Sequence, residues 1–351
     1  MAKKRKRLTN GKLGLILLGE IVVLLAMIVG YAAFYIDMQY DKVQYHEINE
    51  EDLSINEGSN PDQDGYKIIA LFGIDARDNT NMGAGNRSDS IMIASINEET
   101  DEIKIISVYR DTLLNVNYDG GFTTKVTHAY AYGGPELALQ TLNENLDLHI
   151  TEFVTVNFLA LTKAIDRLGG VYVNVEENEL PVLNTSIAEQ VNVTGIYSDG
   201  VFQTGLLKLN GTQATAYSRI RSTDLGDITR TERQREVLSA MLSEAKASDL
   251  ATIDDIIDEV FPLVYTSIDK KEMLELAKGI FDYTMTETKG FPLSYVPVDH
   301  PSKGAVLVPA DLATNVSELH LFLFGTENYV PTQKVQDISN QIINETGVYA
   351  N

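Results

Sequence analysis

No cysteine occurs in the 351 residues, which excludes disulfides, thiolate metal sites and cysteine nucleophiles. A disulfide-free chain still suits an extracytoplasmic protein whose core needs no covalent staple. Basic residues are scarce, 28 Lys and Arg against 50 Asp and Glu, and the formal charge is −22. That balance argues against a general nucleic-acid binder, which needs a basic face to neutralise phosphates. The histidines (His46, His128, His149, His300 and His320) are scattered and no G-x-S-x-G elbow is present, so serine or histidine catalysis has little footing. There is no internal repeat and no low-complexity tract. What the chain does have is 44% hydrophobic residues, enough at this length for one large domain or two small ones.

Charge and hydropathy part sharply at the N-terminus. Lys3, Lys4, Arg5, Lys6, Arg7 and Lys12 precede an apolar stretch, Leu13 to Ile36, interrupted by one charge, Glu20. At ~1.5 Å per residue a helix of that length crosses a hydrocarbon core of ~30 Å. Asp37, Asp41, Glu47, Glu50, Glu51 and Asp52 follow it, and the positive-inside rule then puts the N-terminus in the cytoplasm and the rest outside. The competing reading is a cleaved signal peptide with Gly30-Tyr31-Ala32 as a weak site, but the apolar region exceeds the usual ~7–15 residues. The expectation is a single-pass protein of the cell membrane, with a basic tail over 1–12, a transmembrane helix over 13–36 and an extracytoplasmic stalk over 37–66. The stalk is expected because the segment is polar and rich in Asn, Asp and Ser, with no apolar period.

Beyond it, KIIALFGID (67–75), SIMIASI (90–96) and EIKIISV (102–108) are short apolar runs between turn signals, as buried strands are. Pro135 to Leu146 follows Gly133-Gly134 with helical spacing; Thr151 to Asn157 resembles a strand, Leu159 to Leu168 an amphipathic helix, and Val171 to Val175 a strand. A long helix is predicted from Thr229 to about Lys246. Strands alternating with helices predict an α/β fold, a layered α/β/α domain with a central mixed sheet, preceded by the one transmembrane helix. Its catalytic part is placed at 67–245, with 246–351 completing or extending it.

Charged groups recur at predicted strand ends. Asp75 ends one strand, Arg87 and Asp89 flank Ser88 at the start of the next, and Arg110-Asp111 follows the third. Ligands in open α/β sheets bind outside strand ends, and paired carboxylates there suit a Mg²⁺ that keeps waters and substrate phosphate. Arg219 and Arg221 alternate in YSRIR, which in a strand shares one face. Arg230 and Arg233 share a helix face at i, i+3, with Gln234 beside Arg230. Arginine is suited to bidentate phosphate contact. Spacing alone fits equally well a solvated face of ion pairs with Asp224, Asp227, Glu232 and Glu236.

Seven segments in order, FGIDAR (72–77), NRSDSIM (86–92), SVYRDT (107–112), KVTHAYAYGG (125–134), DRLGGVYVNV (166–175), LNGTQATAYSRIR (209–221) and RTERQREVL (230–238), resemble the LytR-CpsA-Psr family of Gram-positive cell-wall enzymes. Tyr109 departs from it, since many members have proline there. The resemblance implies transfer of a glycopolymer, such as teichoic acid or capsular polysaccharide, from an undecaprenyl-pyrophosphate carrier to a peptidoglycan acceptor. It further implies Asp75 and Asp89 as acids for Mg²⁺, with Mn²⁺ as an alternative. Arg87, Arg110, Arg219, Arg221, Arg230, Arg233 and Gln234 become the pyrophosphate grip, and Asp75, Asp89, Arg87 and Arg110 the catalytic set. Hydrolysis of the lipid pyrophosphate, or a non-enzymatic envelope regulator, are the alternatives. The lipid needs an apolar groove, for which the helices at 135–146 and 159–168 are candidates, although ordinary core explains their apolar faces equally well.

Overall fold

The apolar runs that open the domain build the middle of its sheet. In the computed structural model, residues 41–59, 62–76, 81–221 and 226–349 are described. The predicted basic tail and membrane anchor lie outside them, and among the described residues no helix is long and apolar enough to cross a membrane. The chain enters through β1 (Gln44–Tyr45) and a 3-10 turn at Glu50–Asp52. Then β2 (Tyr66–Ile74), β3 (Ser88–Asn97) and β4 (Glu102–Val108) form an antiparallel meander. A hairpin of β5 (Leu113–Val116) and β6 (Phe122–Lys125) leads into α1 (Thr127–Leu146). The backbone of α1 leaves helical geometry at Gly133 and Gly134, the latter at φ 69°, so its long helical run restarts at Pro135, as the sequence predicts.

Next come β7 (Glu152–Asn157), α2 (Phe158–Arg167), β8 (Val171–Val175), α3 (Leu180–Thr194), β9 (Gly205–Leu209), α4 (Gly211–Tyr217) and α5 (Asp227–Ala247). The last hundred residues supply α6 (Leu250–Val260), β10 (Val264–Thr266), α7 (Lys270–Gly279), β11 (Thr284–Phe291), the β12 (Tyr295–His300) and β13 (Gly304–Pro309) hairpin, α8 (Leu312–Phe324) and α9 (Gln333–Thr346). They complete the domain: the seven-stranded mixed sheet runs β1-β10-β7-β2-β3-β4-β11, so C-terminal strands occupy positions near both edges.

Alternation along β2 sorts the two faces of the sheet. Ala70, Phe72 and Ile74 join Ile91, Ile93 and Phe153 in the main core beneath α1, α8 and α9. Ile69 and Leu71 face the other way, toward residues of α5 and α7. Helices on both faces of a mixed sheet are the α/β/α layering predicted.

The segment expected to stand off as a stalk is instead packed over residues 43–59. Leu53 and Ser59 are fully buried and Val43 nearly so. Asn56 donates to the Asp147 carboxylate at 2.7 Å, and the same carboxylate accepts from the Thr332 amide at 2.7 Å and hydroxyl at 2.6 Å. Asp147 therefore joins the entering segment, the end of α1 and the start of α9. The signal missed was polar: a buried side-chain network replaces the apolar period that a packed segment usually shows.

Glycine fixes one close approach that matters for the site. A Cβ at Gly211 would collide with the Thr162 carbonyl of α2, and its amide donates to Asp166 Oδ1 at 2.7 Å. With Asn210 capping α4 through a reciprocal bond with Gln213, the short helix is fixed against α2 and delivers Arg219 and Arg221 at its far end.

Candidate active site

Between the Leu71 face of the sheet and helices α2, α3 and α5 lies a cavity of about 680 Å³. Leu71, Met92, Val154 and Val156 come from the sheet, Leu161 and Ala164 from α2, Val182 from α3, and Val237, Leu238 and Met241 from α5. Helix α2 thus lines a groove, as one of the two candidate helices, while α1 is core on the opposite face. The charged lining is Asp75, Asp89, Arg219, Arg221 and Arg230 with Glu189 of α3, and Gln234, Ser90, Asn157, Ser218, Thr185 and Ser186 are the uncharged polar groups.

Asp89, second residue of β3, organises the mouth. Arg110 donates to its Oδ1, Arg221 Nη2 lies 3.3 Å from its Oδ2, and Arg230 Nη2 donates to its main-chain carbonyl at 3.0 Å. Asp227, in the first turn of α5, pairs with Arg221 Nε at 3.3 Å and Arg230 Nη1 at 3.2 Å. Three cations therefore meet around two acids. Arg230 is only 2% exposed, and burial, the dominant influence, pulls its pKa down to about 10, against the opposing pull of Asp227. It is still a cation at neutral pH. The Nε atoms of Arg230 and Arg110 are buried and donate no hydrogen bond. A buried charged donor without an acceptor is costly, and at Arg230, which lines the cavity, it is what an anionic ligand would satisfy; Arg110 does not line the cavity, and its Nε lies 3.8 Å from Asp111 Oδ1.

The other expected residues divide. Arg219 and Arg221 lie in an irregular turn after α4, not a strand, and their side chains diverge. Arg219 donates to Gln190 at 2.7 Å and stacks 4.3 Å over the Phe158 ring, on the α2 and α3 side. Arg233 does not line the cavity; it donates to Glu179 at 2.7 Å and to the Ile220 carbonyl at 3.2 Å, holding the 219–221 turn from behind. The i, i+3 pairing on α5 therefore yields one arginine that lines the cavity and one that braces the 219–221 turn. Gln234 lines the cavity with its Oε1 buried and without a hydrogen bond. Arg87 is exposed, with no hydrogen bond or ion pair among the described residues. Asp111 pairs with Lys125 at 3.0 Å and lies 3.8 Å from Arg110 Nε.

Asp227, Glu179 and Phe158 were not singled out from sequence as partners at this site; Asp227 stood only among acids of a solvated face. Its position one turn before Arg230 was the available signal. As to a metal, Asp75 is exposed at the mouth and has no hydrogen bond or ion pair among the described residues, whereas Asp89 is engaged by arginines. No group of three potential protein ligands occurs among the described residues. Two carboxylates plus substrate oxygens are the donor set that Mg²⁺ accepts, so these residues fit it.

The chain is 34% identical over 216 residues to the polyisoprenyl-teichoic acid--peptidoglycan teichoic acid transferase TagU of Oceanobacillus iheyensis, covering 59% of this chain and 61% of that one. It thus spans somewhat under two thirds of such a relative. The crystal structure of Bacillus subtilis TagV matches with a TM-score of 0.59 at 27% identity, over 76% of this chain and 98% of that one. The LytR-CPS2A-psr family protein YwtF (TagT), with bound octaprenyl pyrophosphate lipid, matches with a TM-score of 0.54 at 23% identity, over 87% of this chain and 100% of that one, a likeness of fold. The LytR_cpsA_psr family matches residues 32–301, the greater part of the chain, and the protein belongs to that family.

Proposed function

We propose that the protein transfers an anionic glycopolymer, of teichoic acid or capsular polysaccharide type, from an undecaprenyl-pyrophosphate donor to a hydroxyl of peptidoglycan. One observation carries the reading: an apolar cavity whose polar end holds Arg221 and Arg230 at Asp89, a carboxylate that Arg110 also pairs with from beyond the lining. A prenyl chain requires the first part and a pyrophosphate the second. The name of the TagU relative and the prenyl pyrophosphate in YwtF (TagT) favour the same pairing.

In the reaction, an acceptor hydroxyl oxygen forms a bond to the sugar-bearing phosphorus. The bond from that phosphorus to the bridging oxygen breaks, and the polyprenyl monophosphate leaves with the electron pair. The product is a phosphodiester between glycopolymer and peptidoglycan, and the hydroxyl proton passes to a carboxylate. Asp75 is the acid at the mouth not committed to an arginine, and so suits that role. Arg110, Arg221 and Arg230 oppose the charge that grows on the leaving phosphate, with Gln234 and Arg219 positioning it from α5 and the α2 side. Asp75 and Asp89 would also hold a Mg²⁺ or Mn²⁺, which when bound supplies charge neutralisation to pyrophosphate oxygens. Arg87, exposed and two residues before Asp89, is an outer cation that a phosphate arriving from solvent would meet.

This activity belongs on the outer face of a Gram-positive type membrane, with Leu13 to Ile36 as the anchor and the N-terminus inside. The test is transfer of polymer from a polyprenyl-pyrophosphate donor by the full chain, with products resolved with and without peptidoglycan. Attachment that needs the acceptor and is lost in Arg221→Ala supports the proposal. Release of polymer at the same rate without acceptor replaces it with hydrolysis, and no turnover in either case replaces it with a regulatory role.

A further inference from the structure

Beside the mouth stands a cluster of exposed rings that plays no part in holding a prenyl pyrophosphate. Tyr118 is 44% exposed, and Phe122 and Tyr132 are each 39% exposed. Tyr118 and Tyr132 stack with centroids 5.0 Å apart and planes at 24°. Phe122 adjoins Tyr132 at 6.2 Å and His128 adjoins it at 5.7 Å. The rings come from the β5–β6 hairpin and the start of α1, and Tyr132 touches all the others. Exposed single aromatics are ordinary, but several in mutual contact make a surface patch that calls for a ligand. Because the rings already order one another, they lose little freedom when something binds.

The patch is joined to the mouth by hydrogen bonds. Thr127, next to His128, donates its amide to the Arg110 carbonyl at 3.1 Å and its hydroxyl to the Ser88 carbonyl at 2.8 Å. The helix start that carries His128 and Tyr132 is therefore bonded to the two segments bearing Arg110 and Asp89. Its side of the sheet is fixed too. The hairpin and α1 pack on the Phe72 and Ile91 face, with Tyr130 against Phe72 at 5.1 Å, whereas the cavity opens on the Leu71 and Met92 face. Rings and cavity thus lie on opposite faces of the sheet, with the start of β3 between them.

Displacement at phosphorus sets attacking and leaving oxygens roughly in line on opposite sides. A lipid phosphate leaving into the cavity puts the attacking hydroxyl on the side of phosphorus away from the cavity, which is the direction in which the rings lie. Pyranose rings suit that surface: their C–H faces lie on aromatic faces, and their hydroxyls hydrogen-bond to polar groups at the edge, here Asn117 and Asp119, both exposed on the hairpin loop. We infer that Tyr118, Phe122, Tyr132 and His128 form a platform that seats the sugar rings of the acceptor glycan strand. The choice of acceptor over donor polymer rests on the proposed transfer reaction.

The test compares the full chain in detergent with Tyr132→Ala and Tyr132→Phe, using soluble uncrosslinked peptidoglycan glycan strands as one probe and a polyprenyl pyrophosphate as the other. Tyr132→Ala is expected to weaken strand binding roughly five- to ten-fold and leave prenyl pyrophosphate binding unchanged, with Tyr132→Phe close to wild type. Strand binding unaffected by Tyr132→Ala overturns the platform. So does an equal loss in Tyr132→Phe, which would trace the effect to the hydroxyl rather than the stack. Loss of binding to a teichoic acid polymer, with strand binding intact, also overturns it in favour of the donor. If wild type binds no prenyl pyrophosphate, the transfer reading fails, while Tyr132-dependent strand binding would still support a glycan platform.

Discussion

Arg110 and Arg221 hold the two carboxylate oxygens of Asp89 from opposite sides, one oxygen each. Their segments lie more than a hundred residues apart, so this single carboxylate stitches the meander to the second half of the domain. It also offsets the repulsion between the two guanidinium groups that it pairs with.

Asp89→Ala should therefore harm function more than fold. The carboxylate is partly solvated, so its ion pairs add modestly to stability. Transfer is expected to fall on the order of 100-fold or more, with a melting temperature close to wild type. Polymer attachment measured beside thermal unfolding separates the two effects, and a collapse of stability would recast Asp89 as structural.

Arg230→Met keeps most of the buried volume and removes the charge. Phosphate binding should fall by about ten-fold or more, since a charge-assisted contact is worth roughly 1.5–3 kcal/mol. Competition by inorganic pyrophosphate against a labelled prenyl pyrophosphate measures it. Unchanged affinity would place the anion elsewhere.

Leu71 sits on the cavity floor and is only partly covered. Leu71→Trp should fill space there, weakening long-chain polyprenyl pyrophosphates while sparing short-chain analogues that use the mouth alone. An affinity series across chain lengths reads this directly; equal loss at every length would contradict a lipid cavity.

Burial lowers the pKa of His128 from its ordinary value, Arg87, Lys125 and Arg110 adding to the effect and Asp111 opposing it. The folded state then takes up its proton less readily than the unfolded state. Stability should be fully present above the unfolded value of about 6.5 and decline as pH falls below it, toward the lower folded value. His128→Gln should flatten that part of the melting-temperature profile, and a profile identical to wild type would refute the assignment.

Asp147 is wholly buried in left-handed backbone at φ 54° and accepts hydrogen bonds from Asn56 and Thr332. Asp147→Ala should cost about 2–4 kcal/mol in denaturant unfolding, because it orphans buried donors. Activity per folded molecule should persist.

The central sheet was legible because its strands are apolar runs with turn residues at their ends; β2, β3, β4 and β7 fall within two residues of their predicted limits, as does β8 in its separate ladder with β9. β6 and β11 were not, since Thr, Lys and Glu dominate them and tertiary pairing, not local pattern, makes them strands; β5, apolar but only four residues long, is a strand by pairing with β6. Among site residues, Asp89 and Arg110 were expected at strand ends, whereas Arg221 and Arg230 were joined to them only by the family resemblance. Arg233 was not distinguishable from Arg230 by spacing. The Glu179 carboxylate, the Ile220 carbonyl and the Tyr217 ring hold it behind the mouth.

The missing methyl at Gly211 acts at a distance. Because α4 can rest directly on the Thr162 carbonyl, the interval between two helices sets how far the following turn extends toward the anion site. The reach of Arg219 and Arg221 is thus calibrated by an uncharged contact at the opposite end of their helix. A lineage could retune its grip on the donor there without altering a single cation.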